Sequence, residues 1–291
     1  MKAILLAAGA GTRLYPASLS VPKPLLPIYD KPMIFYPLSV LMLSGIKDIL
    51  LITSEVDAHL FKKLLADGRH LGINIQYEIQ YTQNGIADAL IIGEKFINNE
   101  EVALILSDNI FLGTNLEKVI KDAMVGNRGA TVFGYKVNDP QHFGVVEFDG
   151  LNKVVSLEEK PQNPKSHYAV TGIYFYDKQV CDFAKQLSPS NRGELEITDL
   201  NKIYLENEML DVKVFSDDIL WLDTGTHDAV LEASNLIKDL ERKTGQKIAC
   251  LEEIAYRQGF ISLENTLKGI KKYKNTAYYS YIRDVLSSVV C

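Results

Sequence analysis

Cysteine is scarce in this chain, with three among 291 residues. Cys181, Cys250 and Cys291 stand far apart. A scattered, odd-numbered set supports neither a disulfide framework nor a cysteine-held metal, and it suits a reducing, cytoplasmic setting. Long apolar runs are missing too. No stretch reaches the roughly 20 apolar residues that a membrane span requires, so no membrane partner is expected. The opening MKAILLAAGAG has a positive Lys2, but its apolar part, 3–8, is too short for a secretory leader and then turns glycine-rich. A basic stripe is absent as well. The net charge is −6, which argues against nucleic acid as a partner. Any anionic ligand must therefore be met locally, by a few placed cations. The five histidines, His59, His70, His142, His167 and His227, show no metal-ligand spacing. They read as surface or helix-terminal residues. No internal repeat, low-complexity segment or obvious linker is visible.

What is present is a large apolar fraction, 47%, enough for a sizeable core. The length fits one large α/β domain with appendages, or two domains. Residues 2–8, 50–53, 74–79, 101–106 and 130–137 read as buried strands. Helical patterns lie near 34–44, 57–66, 86–97 and 115–125. Continuous apolar strands alternating with amphipathic helices predict an α/β fold with a parallel central sheet and helices on both faces. After residue 140 the texture is more mixed. FGVVEF, KVVSLEE, YAVTGIYFYD and DVKVFS read as strands, with helices near 178–187 and 196–207. They should extend the sheet and form a lid over it. A long helix is expected from 226 to about 243. The rest reads as a helical appendage, with further helices near 263–273 and 277–288.

The stretch LLAAGAGTRLYPASLSVPKPLLP, Leu5 to Pro27, ends a strand in glycines and follows them with Arg13 and Lys23. Glycines let a ligand approach the backbone, whose N–H groups can cradle phosphate. The dinucleotide fingerprint fails, because Leu14 occupies the third glycine position. The Walker-type loop fails too, lacking Gly-Lys-Ser/Thr. A plain tight turn explains the glycines but not the two cations. Arg as a fork and Lys as a point charge suit a triphosphate, which would carry Mg²⁺ held by one or two carboxylates. Asp108 ends the fourth strand, at the carboxyl edge of a parallel sheet where ligands bind. Asp223, in WLDTGTHD, is a second candidate. Each has a simpler reading: Asp108 as a turn residue, and Asp223 with Thr224 and Thr226 as a helix cap.

Several segments together resemble the glucose-1-phosphate thymidylyltransferase family of sugar nucleotidyltransferases. They are GAGTRLYP, LLPIYDKPMIFYPLSVLMLSGI, FGVVEF, SLEEKP, YAVTGIYFYD, RGELEITD, WLDTGTHDAVLEAS and EEIAYRQ, in the family's order from residue 1 to about 260. The resemblance implies a Rossmann-like catalytic core with a mostly parallel central sheet, Mg²⁺ dependence, a homotetramer, and condensation of dTTP with glucose 1-phosphate by in-line single displacement. The product, dTDP-glucose, would feed deoxysugar (rhamnose-type) biosynthesis. It implies a catalytic region over 1–240, with a nucleotide half to about 140 and a sugar half over 141–225, and an assembly and regulatory segment over 241–291.

Residue by residue, it implies that Ala8, Gly9, Gly11, Thr12 and Arg13 wrap the nucleotide. Lys23 and Pro24 adjoin them, and Gln80 and Gly85 read the pyrimidine. Asp108 and Asp223 would bind the metal. Asn109, Gly144, Glu159, Val170 and Tyr174 would contact the sugar, and Lys160 and Arg192 would grip its phosphate. Gly113, Glu253, Ile254 and Arg257 would belong to a second, regulatory nucleotide-sugar site. The sequence departs from the family's usual pattern at Ala8 and Ala10 (Gly and Ser), Pro24 and Asp88 (Gln at both), Ser107 (Gly) and Leu112 (often Tyr). Losing Gln at 24 removes a donor near the nucleotide. A UTP-using enzyme therefore stands as an alternative; a non-catalytic nucleotide-sugar sensor on the same fold is a second, against which the retained Asp108, Asp223, Arg13, Lys23 and Lys160 argue.

Overall fold

The structure, a computed structural model, describes residues 1–151, 153–271, 273 and 276–287. The strand Lys2–Ala7 lies between Asp48–Thr53 and Val102–Leu106, parallel to both, and Asn74–Ile79 continues the sheet beyond Asp48–Thr53. Alternate residues of these strands feed two cores. Ala3, Leu5, Ile49, Leu51, Ala103 and Ile105 face the helices Phe35–Leu43, Ala58–Leu65 and Leu116–Gly126. Ile4, Leu50, Ile52, Val102 and Leu104 face Leu90, Ile97, Val180, Leu200 and Tyr204 on the other side. Each fully buried Leu or Ile contributes about 1.5–3 kcal/mol, so covering both faces needs the continuous apolar runs seen in the sequence.

The second half joins the same sheet in the opposite sense. Tyr168–Tyr176 runs antiparallel to Val102–Leu106 and to Ala130–Lys136, and its first residues pair with Gly144–Phe148. Val154–Glu159 closes that side, antiparallel to Gly144–Phe148, and Leu210–Val214 pairs parallel to Ala130–Lys136. The fifth strand expected from the sequence thus lies beyond an antiparallel partner and outside the parallel set. A small separate sheet, invisible in the sequence reading, pairs Asn109–Leu112 antiparallel with Leu220–Asp223.

The expected helix over 86–97 is split at Gly93 into Asp88–Ile92 and Glu94–Ile97. A Cβ on Gly93 would stand 2.7 Å from Ile4 Cδ1, so the break lets the chain lie close on the first strand. The long helix runs His227–Thr244. The Thr226 hydroxyl caps it by accepting from Ala229 N at 3.2 Å, and Gly245 ends it at φ 69°. Helix Leu251–Arg257 then packs Leu251 and Ala255 onto the first core. The last two helices are Leu263–Ile270 and Ala277–Ser287; residues 272 and 288 of the expected helices, and Cys291, lie outside the described residues. Ile270, Ile282 and Leu286 form a small cluster with Cys250, flanked by Tyr278, Tyr279 and Tyr281. The appendage therefore folds back onto its own chain.

One buried charge cluster fastens this segment to the loop that carries Lys23. The Lys31 ammonium, about 3% exposed, reaches Asp30 at 2.5 Å and Glu241 at 3.0 Å. Lys247 bonds the other oxygen of Glu241 at 2.6 Å and also pairs with Asp30. Removing one member of a buried pair leaves an uncompensated charge. Glu241→Ala should therefore cost about 3–5 kcal/mol of unfolding free energy by denaturant titration; a loss below about 1 kcal/mol would show that the cluster is not structural.

Candidate active site

The parallel strand order reverses at Lys2–Ala7, which places a crevice beyond its carboxyl end. The chain leaving that strand and the chain leaving Val102–Leu106 both open into it. Ser107 N donates to Leu6 O at 3.0 Å, so the ladder carries Asp108 right to the rim. Gly11 adopts φ 62° and starts the tight turn Thr12–Leu14; buried Leu14 anchors it. A Cβ on Gly11 would stand 3.0 Å from the Lys23 Cβ, so the glycine lets the loop close over the lysine. The resulting cleft of 270 Å³ is lined by Gly9, Gly11, Thr12, Arg13, Lys23, Pro24, Ser107, Asp108 and Gly225, among others.

Lys23 is almost fully buried, and its ammonium bonds Asp108 Oδ2 at 2.5 Å. Asp223 comes to the same place because Asp223 pairs in register with Asn109 across the small sheet. The cap reading is thereby divided: Thr226 caps the helix, Thr224 Oγ1 donates to the Asp108 carbonyl at 2.8 Å, and the Asp223 carboxylate faces the cavity. Two like charges in one half-buried cleft split in behaviour. Burial would raise the Asp108 carboxyl, but Lys23 and Asn109 outweigh it and hold it below 3.8. Burial and the charge of Asp108 push Asp223 above that value, although Lys23, Arg13 and Lys160 act the other way. Among the described residues no third acidic, histidine or cysteine side chain joins them. Two carboxylates facing one cavity fit Mg²⁺, which completes its shell with waters and phosphate oxygens.

A wider cavity of 640 Å³ opens from the same carboxylates towards the antiparallel half. The sequence candidates Asn109, Gly144, Glu159, Lys160, Val170, Tyr174 and Arg192 all line it. Glu159 accepts from Thr198 Oγ1 at 2.5 Å and from Arg192 at 3.3 Å, with Lys160 at 3.4 Å. Lys160 holds the unusual φ of 43°, and its N–H donates to Phe143 O at 2.9 Å. Arg192 also meets Glu194 at 2.9 Å and Glu196 at 3.6 Å. Burial would lower its pKa, but these three carboxylates raise it.

Gln80 and Gly85 line neither cavity themselves, but Ile86, next to Gly85, lines both. Gln80 Nε2 donates to Gly85 O at 3.2 Å and to Asp88 Oδ2 at 2.9 Å. Gly85 has φ 101°, and a Cβ there would meet Leu195 O at 2.5 Å. Ala8 is buried at the strand's end. Gly113 lines a different groove, with Phe111, Leu116, Thr244 and Ile248, and Glu253, Ile254 and Arg257 do not line it. Arg257 Nε instead bonds Glu253 at 2.7 Å along their shared helix. All five histidines are exposed, as expected.

Several contributors escaped the sequence reading. Trp221 donates Nε1–H to Asn109 Oδ1 at 2.6 Å, and Gly172 N donates to the same oxygen at 3.0 Å. Two signals were available: a buried indole needs an acceptor, and a glycine inside an apolar strand marks close backbone approach. Gly225 is a third. Its hypothetical Cβ would stand 3.0 Å from both Nη atoms of Arg13, so the guanidinium lies on bare backbone.

Known proteins share this sequence and architecture. The family model described as nucleotidyl transferase matches residues 2–239. A glucose-1-phosphate thymidylyltransferase of Neisseria gonorrhoeae is 52% identical over 282 residues, covering 97% of this chain and 98% of its own. One of the same name from Mycobacterium tuberculosis is 46% identical over 286 residues, covering 98% and 99%. A solved Bacillus anthracis structure, described as a candidate glucose-1-phosphate thymidylyltransferase in complex with sucrose, is 40% identical with a TM-score of 0.76. It covers 82% of this chain and 96% of that one. A UDP-glucose pyrophosphorylase bound to UDP-glucose matches in fold, at 24% identity and a TM-score of 0.73, covering 82% and 98%.

The contact between Gly225 and Arg13 yields a direct test. A methyl at 225 must displace the flexible guanidinium and leaves the backbone in place. Gly225→Ala should weaken binding of inorganic pyrophosphate, measured calorimetrically, by about tenfold (~1.4 kcal/mol), with the melting temperature nearly unchanged. Unaltered affinity would show that Arg13 does not serve the anion.

Proposed function

The chain belongs to the glucose-1-phosphate thymidylyltransferase family of nucleotidyl transferases, and on that premise we propose that it condenses dTTP with glucose 1-phosphate, giving dTDP-glucose and pyrophosphate. The carrying observation is the Lys23–Asp108 pair beside Asp223, with cationic walls on either side: Arg13 over the glycine loop, Lys160 and Arg192 across the wider cavity.

The chemistry asks little covalent work of the protein. A sugar 1-phosphate has a second pKa near 6, as phosphate monoesters do, and is largely a dianion at neutral pH. One of its oxygens forms a bond to the α-phosphorus of the triphosphate while the bond to the bridging oxygen of pyrophosphate breaks. No proton need move. The protein's part is to align the two phosphates and to offset their charge. Lys160 and Arg192 hold the nucleophile, and Glu159 keeps both cations in place. Arg13 and the exposed N–H groups of the 9–13 loop take the triphosphate. Lys23 keeps Asp108 ionised between them. Asp108 and Asp223 would hold Mg²⁺, which supplies charge neutralisation on the phosphates. Trp221 and Gly172 fix Asn109, and Asn109 Nδ2 steadies Asp108 at 3.0 Å.

Pyrophosphate release from glucose 1-phosphate and Mg²⁺, run against dTTP, UTP, dCTP and ATP, tests the reading. It predicts turnover with dTTP as the best substrate, and release with none of the four would contradict it. Asp108→Asn and Asp223→Asn should each lower kcat by about a hundredfold or more while circular dichroism stays unchanged. Near-normal activity of either variant at limiting Mg²⁺ would remove that residue from the metal site.

A further inference from the structure

Gln80 is the residue whose partners narrow its own chemistry. Both hydrogens of its amide are spent: Nε2 donates to the Gly85 carbonyl at 3.2 Å and to Asp88 Oδ2 at 2.9 Å. A carbonyl and a carboxylate can only accept. The NH₂ end must therefore face them, and the amide cannot be turned over. Oε1 is left without a protein donor among the described residues. Gln80 itself is about 7% exposed and follows the strand Asn74–Ile79, its N–H bonded to Thr53 O at 3.0 Å, so the side chain springs from fixed backbone. Gly85 lies close against Leu195, whose carbonyl oxygen a Cβ there would meet at 2.5 Å.

We propose that Asp88 is a specificity-determining positioning residue: it locks the Gln80 amide so that only its oxygen can read the base. A locked acceptor selects a pyrimidine that presents an imide N–H, as thymine and uracil do, and disfavours cytosine, whose ring nitrogen presents a lone pair there. Asp88 acts on the amide, whose Nε2 donates to its Oδ2 at 2.9 Å, and not on the base. Its effect passes through Gln80. This inference rests on the proposed thymidylyltransferase reading, with Gln80 at the base.

The test compares kcat/KM for dTTP and dCTP within each variant, a ratio that does not depend on the fraction of folded protein. Asp88→Ala should shrink the dTTP preference by about tenfold or more, with the KM for glucose 1-phosphate unchanged. Asp88→Asn, whose Oδ1 still accepts, should keep the ratio within about threefold of the parent. Gln80→Leu should remove most of the preference. An Asp88→Ala ratio equal to the parent's, alongside a collapsed Gln80→Leu ratio, would overturn the lock and leave the base reading standing. An unchanged ratio in Gln80→Leu would overturn both.

Discussion

The contact between Lys23 and Asp108 is the constraint around which the site is organised. Two carboxylates, Asp108 and Asp223, are brought into one half-buried cleft, where like charges oppose each other. One ammonium, itself nearly buried, holds Asp108 ionised. Such an arrangement is poor as a stabilising device and well suited to accepting a further cation. The fold invests heavily to create it. A parallel strand delivers Asp108, a separate antiparallel pair delivers Asp223, and a loop closing over Gly11 delivers Lys23.

That loop is held from behind. Lys31 and Asp30 follow it in sequence, and their bonds to Glu241 and Lys247 tie it to the long helix and the start of the C-terminal segment. The Lys23 side of the cleft is thus braced by residues that line neither cavity of the site. Glycines do complementary work on the other walls. Gly225 under Arg13 and Gly172 against Asn109 replace side chains with backbone, so that polar groups sit where a Cβ would otherwise be.

The fold was largely legible in the sequence because its strands are buried on both faces. A run such as KAILLA can bury Ala3, Ile4, Leu5 and Ala7, on both faces, only inside a layered sheet. Legibility failed where tertiary pairing overrides local pattern. NIFL and LWLD are too short and too distant to announce that they pair, yet that pairing alone brings Asp223 to Asp108. Gly93 broke a helix whose apolar spacing looked continuous, because packing on Ile4 outweighed the pattern. In the site, charged residues could be recognised from chemistry and resemblance. The partners of Trp221, Gly172, Gly225 and Gln80 could not, even where a residue type gave a sign, since each partner is remote in sequence or turns on a hydrogen-bond direction. The two described cysteines, Cys181 and Cys250, are buried and line neither cavity of the site, so neither serves as a nucleophile there.

The central claim is that alignment and charge alone carry the proposed transfer, with no covalent protein intermediate. The stereochemical course at phosphorus examines it most directly. With dTTP made chiral by sulfur at the α-phosphorus, one in-line displacement predicts dTDP-glucose of inverted configuration, read by ³¹P NMR. Retention of configuration would mean two displacements and a nucleotidylated side chain, and would contradict the account.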